Sequence, residues 1–175
     1  KVAYVFRRNL FIKNLIDKSV AQLTYDGDYQ TLNGITDWVY EEEFGFVRAF
    51  DWSPNSKQLV FMRFDESNVP LFSMDMYGND TYPFPYMFRY PKAGEQNATI
   101  DLFVYDLGAS QEQVLFNEEA YYIPRMKFAG GDHSLIIQTL NRHQNDLKLW
   151  RWDTQKKTLQ LLLREQDDAY VSIND

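Results

Sequence analysis

Leu102-Phe103-Val104-Tyr105-Asp106, closed thirteen positions on by Leu115, reads as a strand, a turn and a second strand. A short apolar run bounded by polar residues is strand grammar. Asp106 ends the run because Asn and Asp side chains bond the local backbone and open turns. The same frame recurs without a gap as Leu10-Phe11-Ile12-Lys13-Asn14 through Leu23, and as Leu149-Trp150-Arg151-Trp152-Asp153 through Leu162. In all three the flanking leucines stand 13 apart, and Asn or Asp falls four residues after the first. A second frame precedes two of these hairpins. Trp52 to Phe61 and Phe128 to Ile137 each cross a polar turn, with aromatic and Leu seven residues apart. The first copy lacks the front half of this frame, since Val2 aligns with Leu59 and Leu135.

Together the frames make a four-stranded antiparallel unit, repeated. Such units in series are the blades of a β-propeller, so the fold expected is all-β. The sequence divides into a partial blade over 1–30, a blade over 47–117, a blade over 121–164, and a tail or start of the next blade over 165–175. An antiparallel sandwich is the competing architecture, but it gives no reason for three hairpins in one gapless register. Propellers close with about four to eight blades, so about three blades do not close a ring. The opening Lys1-Val2-Ala3-Tyr4-Val5-Phe6 reads as mid-strand, and an excised piece of a longer protein is expected.

Composition removes several classes of function. The chain has 175 residues, 17% of them aromatic, which suits a packed core and not a disordered chain. Its net charge of −7 opposes nucleic-acid binding, which needs clustered Lys and Arg. With no Cys and two His, it cannot build a thiolate site, and a His-based triad or three-His zinc site is implausible. No metal and no cofactor are expected. No apolar run approaches the ~20 residues of a membrane helix.

Two stretches depart from the repeat, and departures of this kind are where function concentrates. The first, over 34–46, contains Thr36-Asp37-Trp38-Val39-Tyr40-Glu41-Glu42-Glu43. Thr36 or Asp37 can cap a short helix near 37–43, whose three carboxylates would fan out at ~100° each. Two carboxylates converging on one positive charge would make a receptor for an ammonium group. A solvated acidic turn is the plainer reading. A paired-carboxylate glycosidase fits less well, because those acids face each other across a sugar from separate elements.

The second departure, over 66–97, is long enough to be a working loop. Gly78-Asn79-Asp80 can turn a hairpin within it. It carries Val69, Pro70, Phe72, Tyr77, Tyr82, Phe84, Tyr86, Phe88 and Tyr90. Aromatic residues favour interface cores, so this projecting arm is expected to touch a partner unless it folds back on its own blade.

Asn33-Gly34-Ile35-Thr36-Asp37-Trp38-Val39-Tyr40-Glu41-Glu42-Glu43, Trp52-Ser53-Pro54-Asn55, Phe64-Asp65-Glu66 with Val69-Pro70, and Tyr90-Pro91-Lys92-Ala93-Gly94 resemble the propeller of the dipeptidyl peptidase IV family, in its order and near its spacing. The resemblance is clear over about residues 1–106 and weaker beyond. It implies eight blades joined to a C-terminal α/β-hydrolase domain, in a serine peptidase that removes X-Pro or X-Ala dipeptides from free N-termini. It implies that Glu42 and Glu43 bind the substrate's α-ammonium, and that the segment from Val69 to Tyr90 is an arm contributing to a homodimer. It implies a periplasmic, secreted or membrane-anchored protein. The absence of Cys, where animal members are disulfide-bonded, points to a bacterial source. The catalytic Ser, Asp and His would follow this chain, and no Ser here lies in a Gly-x-Ser-x-Gly elbow, so the chain alone is expected to be inactive. The run from Glu43 to Trp52 is one residue shorter than in animal members, which leaves a tripeptide-releasing relative open. A non-enzymatic propeller scaffold is the alternative from another class.

Overall fold

The structure, a computed structural model, describes residues 1–108, 111–114 and 121–173. Leu115 and the blade end expected at 117 lie outside the described residues. Fourteen strands and one short helix are described, and the strands pair antiparallel throughout.

The first sheet holds β1 (Val2–Phe6), β2 (Asn9–Lys13) and β3 (Val20–Gln22) in that order. This is the truncated first copy, three strands and not four. Next come β4 (Thr31–Asn33), α1 (Trp38–Glu43), β5 (Phe50–Trp52), β6 (Gln58–Asp65), β7 (Leu71–Met76), β8 (Phe84–Arg89), β9 (Thr99–Asp106) and β10 (Gln111–Val114). The last sheet runs β11 (Tyr122–Phe128), β12 (Ser134–Leu140), β13 (Asp146–Asp153) and β14 (Thr158–Gln166), neighbour by neighbour. These are the four-stranded antiparallel blades that the repeat predicts.

The middle blade shows how the helix is inserted. Both β4 and β5 pair with β6, β4 against Arg63–Asp65 and β5 against Leu59–Phe61. The helix therefore interrupts one strand row of the middle blade instead of lying between two blades. The chain leaves that row at Gly34, whose φ of +72° suits glycine, and returns at Ala49. Gly34 N–H donates to Met62 O, Ala49 N–H to Gly34 O, and Met62 N–H to Ala49 O. A bridge between Ile35 and Arg48 closes the neck of the excursion.

The period of two along β6 divides its side chains between two cores. Leu59 and Phe61 pack with Leu10, Ile12 and Leu23 of the first sheet. Val60, Met62 and Phe64 join Leu135, Ile137, Trp150 and Trp152 of the last sheet, together with residues of α1. A strand buried on both faces needs a continuous apolar run, and Leu59-Val60-Phe61-Met62 supplies one. Each such side chain contributes about 1.5–3 kcal/mol on burial. Trp150 is buried in this core and donates from Nε1 to Thr139 Oγ1 at 2.8 Å.

Candidate functional site

Asp37 starts α1. Its backbone is extended, and its Oδ1 accepts the Tyr40 N–H at 3.0 Å, which satisfies one of the donors a helix start leaves open. Thr36 instead donates from Oγ1 to Phe46 O, closing the loop beyond the helix. Tyr40 then fixes the helix to the next blade. It is 1% exposed, surrounded by Phe44, Phe46 and Phe64. Its hydroxyl oxygen accepts the backbone N–H of Ile123, on β11, at 2.7 Å. Arg125, also on β11, donates from Nη1 to Phe44 O at 3.0 Å and so holds the helix end.

The outcome is a six-residue helix anchored at both ends, presenting Glu41, Glu42 and Glu43 to solvent. Glu42 and Glu43 lie in its last turn, where no basic residue stands. The helix dipole places partial negative charge at that end, so carboxylates there are held against a repulsion of a few tenths of a kcal/mol or more. A cation bound between them would relieve it. Glu41 and Glu43, ~200° apart on the helix, face different clefts. Glu41 borders a cleft of about 870 Å³ beneath the arm, and Glu43 borders clefts shared with Tyr122, Gln144 and Arg125.

The arm is the hairpin of β7 and β8. In its register Phe72 faces Phe88, Met74 faces Tyr86, and Met76 faces Phe84. One face is thus entirely aromatic and thioether, the other mixed. Tyr77 and Tyr82 at the tip are both 82% exposed, while Phe84 and Tyr86 are exposed on the strand. Phe72, Phe88 and Tyr90 are half-buried and pack on one another at the root. Tyr90 also meets Trp38 of α1 edge to face at 4.4 Å, which ties the arm to the helix. Val69 is 2% exposed within the blade core, and Pro70 is half-buried beside it, so these two sit at the arm's root and not on its open face.

Two carboxyls are buried beside the helix, and nothing local in the sequence marked them as buried. Asp37 and Glu66 are each 6% exposed. Burial pushes the Asp37 carboxyl up to about 6, against the opposing pull of its bond from Tyr40 N–H. Burial and the Asp37 charge push Glu66 up to about 7, partly offset by Arg8 and Arg89. The folded protein therefore retains protons that the unfolded chain releases. Stabilisation from this source is complete below about pH 4 and is lost as pH rises to about 7. Glu66→Gln is expected to raise stability at pH 8 by about 1–2 kcal/mol and to flatten the change in melting temperature between pH 5 and pH 8. A Gln variant no more stable than wild type at pH 8 contradicts the assignment.

The anchors of α1 left no local signal in the sequence, because Tyr40 and Ile123 are 83 residues apart. The short spacing from Asp37 to Glu43 was legible. Among the described residues no group of three or more His, Cys, Asp or Glu could hold a metal ion, and no helix is long and apolar enough to cross a membrane.

Comparison with known proteins places this geometry. The family model described as "Dipeptidyl peptidase IV (DPP IV) N-terminal region" matches residues 1–175. Dipeptidyl peptidase 4 of Sus scrofa is 33% identical over 181 aligned positions, covering 100% of this chain and 22% of that protein. Prolyl endopeptidase FAP of Mus musculus is 38% identical over 155 positions, covering 83% of this chain and 20% of that protein. The crystal structure of Porphyromonas gingivalis dipeptidyl peptidase 4 superposes with a TM-score of 0.91 at 40% identity, covering 96% of this chain and 24% of that one. The chain thus spans about a fifth to a quarter of the length of these relatives. With the model matched end to end and the blades superposing, the chain belongs to the family of dipeptidyl peptidase IV N-terminal regions.

Proposed function

We propose that this chain is the substrate-recognition part of the propeller of a serine exopeptidase that releases X-Pro and X-Ala dipeptides from free peptide N-termini. Glu42 and Glu43 receive the substrate's α-ammonium. The observation that carries this reading is a helix braced at Tyr40 and Phe44 that presents two adjacent exposed carboxylates at its unfavourable end. A rigid receptor for the first amine sets where the peptide starts and so measures two residues to the bond that is cut. Selectivity follows because a site built for a charged amine leaves its carboxylates unpaired when the amine is blocked. The bond is cut by a Ser-Asp-His set in a C-terminal α/β-hydrolase domain of the full-length protein. The apolar face of β7 and β8 is the contact of a homodimer, and the protein works outside the cytoplasm, in the periplasm, secreted or anchored to a membrane.

The run from Glu43 to Trp52, one residue shorter than the resemblance implies for animal members, leaves room for a second reading, a receptor set one residue further from the cut, releasing tripeptides. Mass spectrometry of products separates the readings. The full-length protein is incubated with a free-amine peptide carrying Pro at its second position and Ala at its third. Dipeptide is the expected first product. Tripeptide as first product favours the second reading, and an intact peptide favours a non-enzymatic scaffold.

A further inference from the structure

Beside the helix end, on the side away from the arm, lies a pocket of about 350 Å³ lined by Phe44, Arg48, Phe50, Asp51, Arg125 and Lys127 among others. It lies between β5 and β11 of two neighbouring sheets, and the loop that follows α1 forms part of its wall. Its electrostatics oppose those of the chain. The protein carries a net charge of −7, yet among the described residues three cations border this pocket and one acid does. That acid, Asp51, accepts the Phe128 N–H at 3.2 Å through Oδ2. One of the cations is held in place before any ligand arrives, and a second leans on an aromatic ring. Arg125 donates to Phe44 O and Pro124 O and lies 5.8 Å from the Phe46 ring, and Arg48 lies 5.7 Å from the Phe50 ring. A guanidinium fixed as Arg125 is loses little freedom on meeting a carboxylate.

The pocket also adjoins the proposed amine receptor. Phe44 follows Glu43 directly in the chain, and Arg125 borders both this pocket and a cleft that Glu43 lines. The cationic chamber therefore neighbours a cleft that Glu43 lines.

We propose that this pocket binds the carboxylate side chain of the peptide's first residue, so that the protein favours peptides beginning with Asp or Glu. This rests on the amine-receptor reading above. The volume admits one side chain and not a folded partner, and three cations against one acid select a carboxylate over its amide.

The test is isothermal titration of the full-length protein with the dipeptides Glu-Pro and Gln-Pro, which differ in one charge and have no further dipeptide to lose. Glu-Pro is expected to bind about tenfold tighter than Gln-Pro, with the difference shrinking as salt rises. Arg48→Gln combined with Lys127→Gln should bring the two dipeptides within about twofold of each other, whereas Lys13→Gln, on the first sheet, should leave the ratio in place. Arg125 is spared because it braces the helix. A tenfold ratio that collapses in the double variant supports the pocket even if product analysis finds no dipeptide release, in which case the peptidase reading alone falls. Equal affinities, no measurable binding of either dipeptide, or a ratio the double variant leaves unmoved overturns the proposal.

Discussion

Tyr40→Ala is expected to cost about 3–5 kcal/mol of stability, the range for removing a large buried aromatic side chain. Three effects combine. The ring leaves a void among Phe44, Phe46 and Phe64. The Ile123 N–H loses its acceptor in a place water does not reach. The helix also loses its main tie to β11. Tyr40→Phe isolates the second effect. It keeps the ring and removes only the hydroxyl, at an expected cost of about 1–3 kcal/mol for a buried donor left unpaired. Hydrogen exchange at the Ile123 amide and the melting temperature of the full-length protein read both. A Tyr40→Phe variant as stable as wild type, with the amide equally protected, removes the bond from the account.

The second large effect is on recognition. Glu42→Gln and Glu43→Gln replace exposed side chains, so each should change stability by less than about 0.5 kcal/mol. Their effect on peptides with a free amine should be much greater. Removing one partner of a charge pair that binding desolvates costs about 2–5 kcal/mol. Because these carboxylates begin exposed, we expect the lower part of that range. That corresponds to a loss of about 30- to 150-fold in kcat/KM for either single variant. A loss in activity matched by a loss in stability would point to a folding role instead. Glu41→Gln, on the far side of the helix beside the arm cleft, should have less than a tenth of that effect.

Much of the architecture was legible because strands announce themselves locally. The leucine frame of each hairpin and the polar residue after it fix where a strand ends, and the repeat then supplies the topology. The helix was legible from two candidate caps, Thr36 and Asp37, followed at once by a run able to wind one turn and a half, and the structure settles on Asp37. Its position within a strand row was not. That depends on β4 and β5 sharing β6, a pairing between segments whose local pattern does not distinguish one long row from two short strands. The arm's hairpin and aromatic face followed from its alternation, but the Val69 side chain belongs to the core because it joins the buried cluster that holds Phe64 and Tyr40, while its carbonyl oxygen accepts from Arg89 at the arm's root. The buried carboxyls of Asp37 and Glu66, and the cations around Asp51, were not legible for the same reason. Each owes its environment to chain segments far away in sequence.

The central claim is that Glu42 and Glu43 together select a free, charged N-terminus. Its most direct test is the ratio of kcat/KM for a free-amine X-Pro chromogenic substrate to that for its N-acetylated twin, in the full-length wild type and in the Glu42→Gln, Glu43→Gln double variant. The account predicts a ratio above about 100 in wild type, falling to within about tenfold of unity in the double variant. A wild-type enzyme that cuts both substrates equally well, or a double variant that keeps the preference, contradicts it.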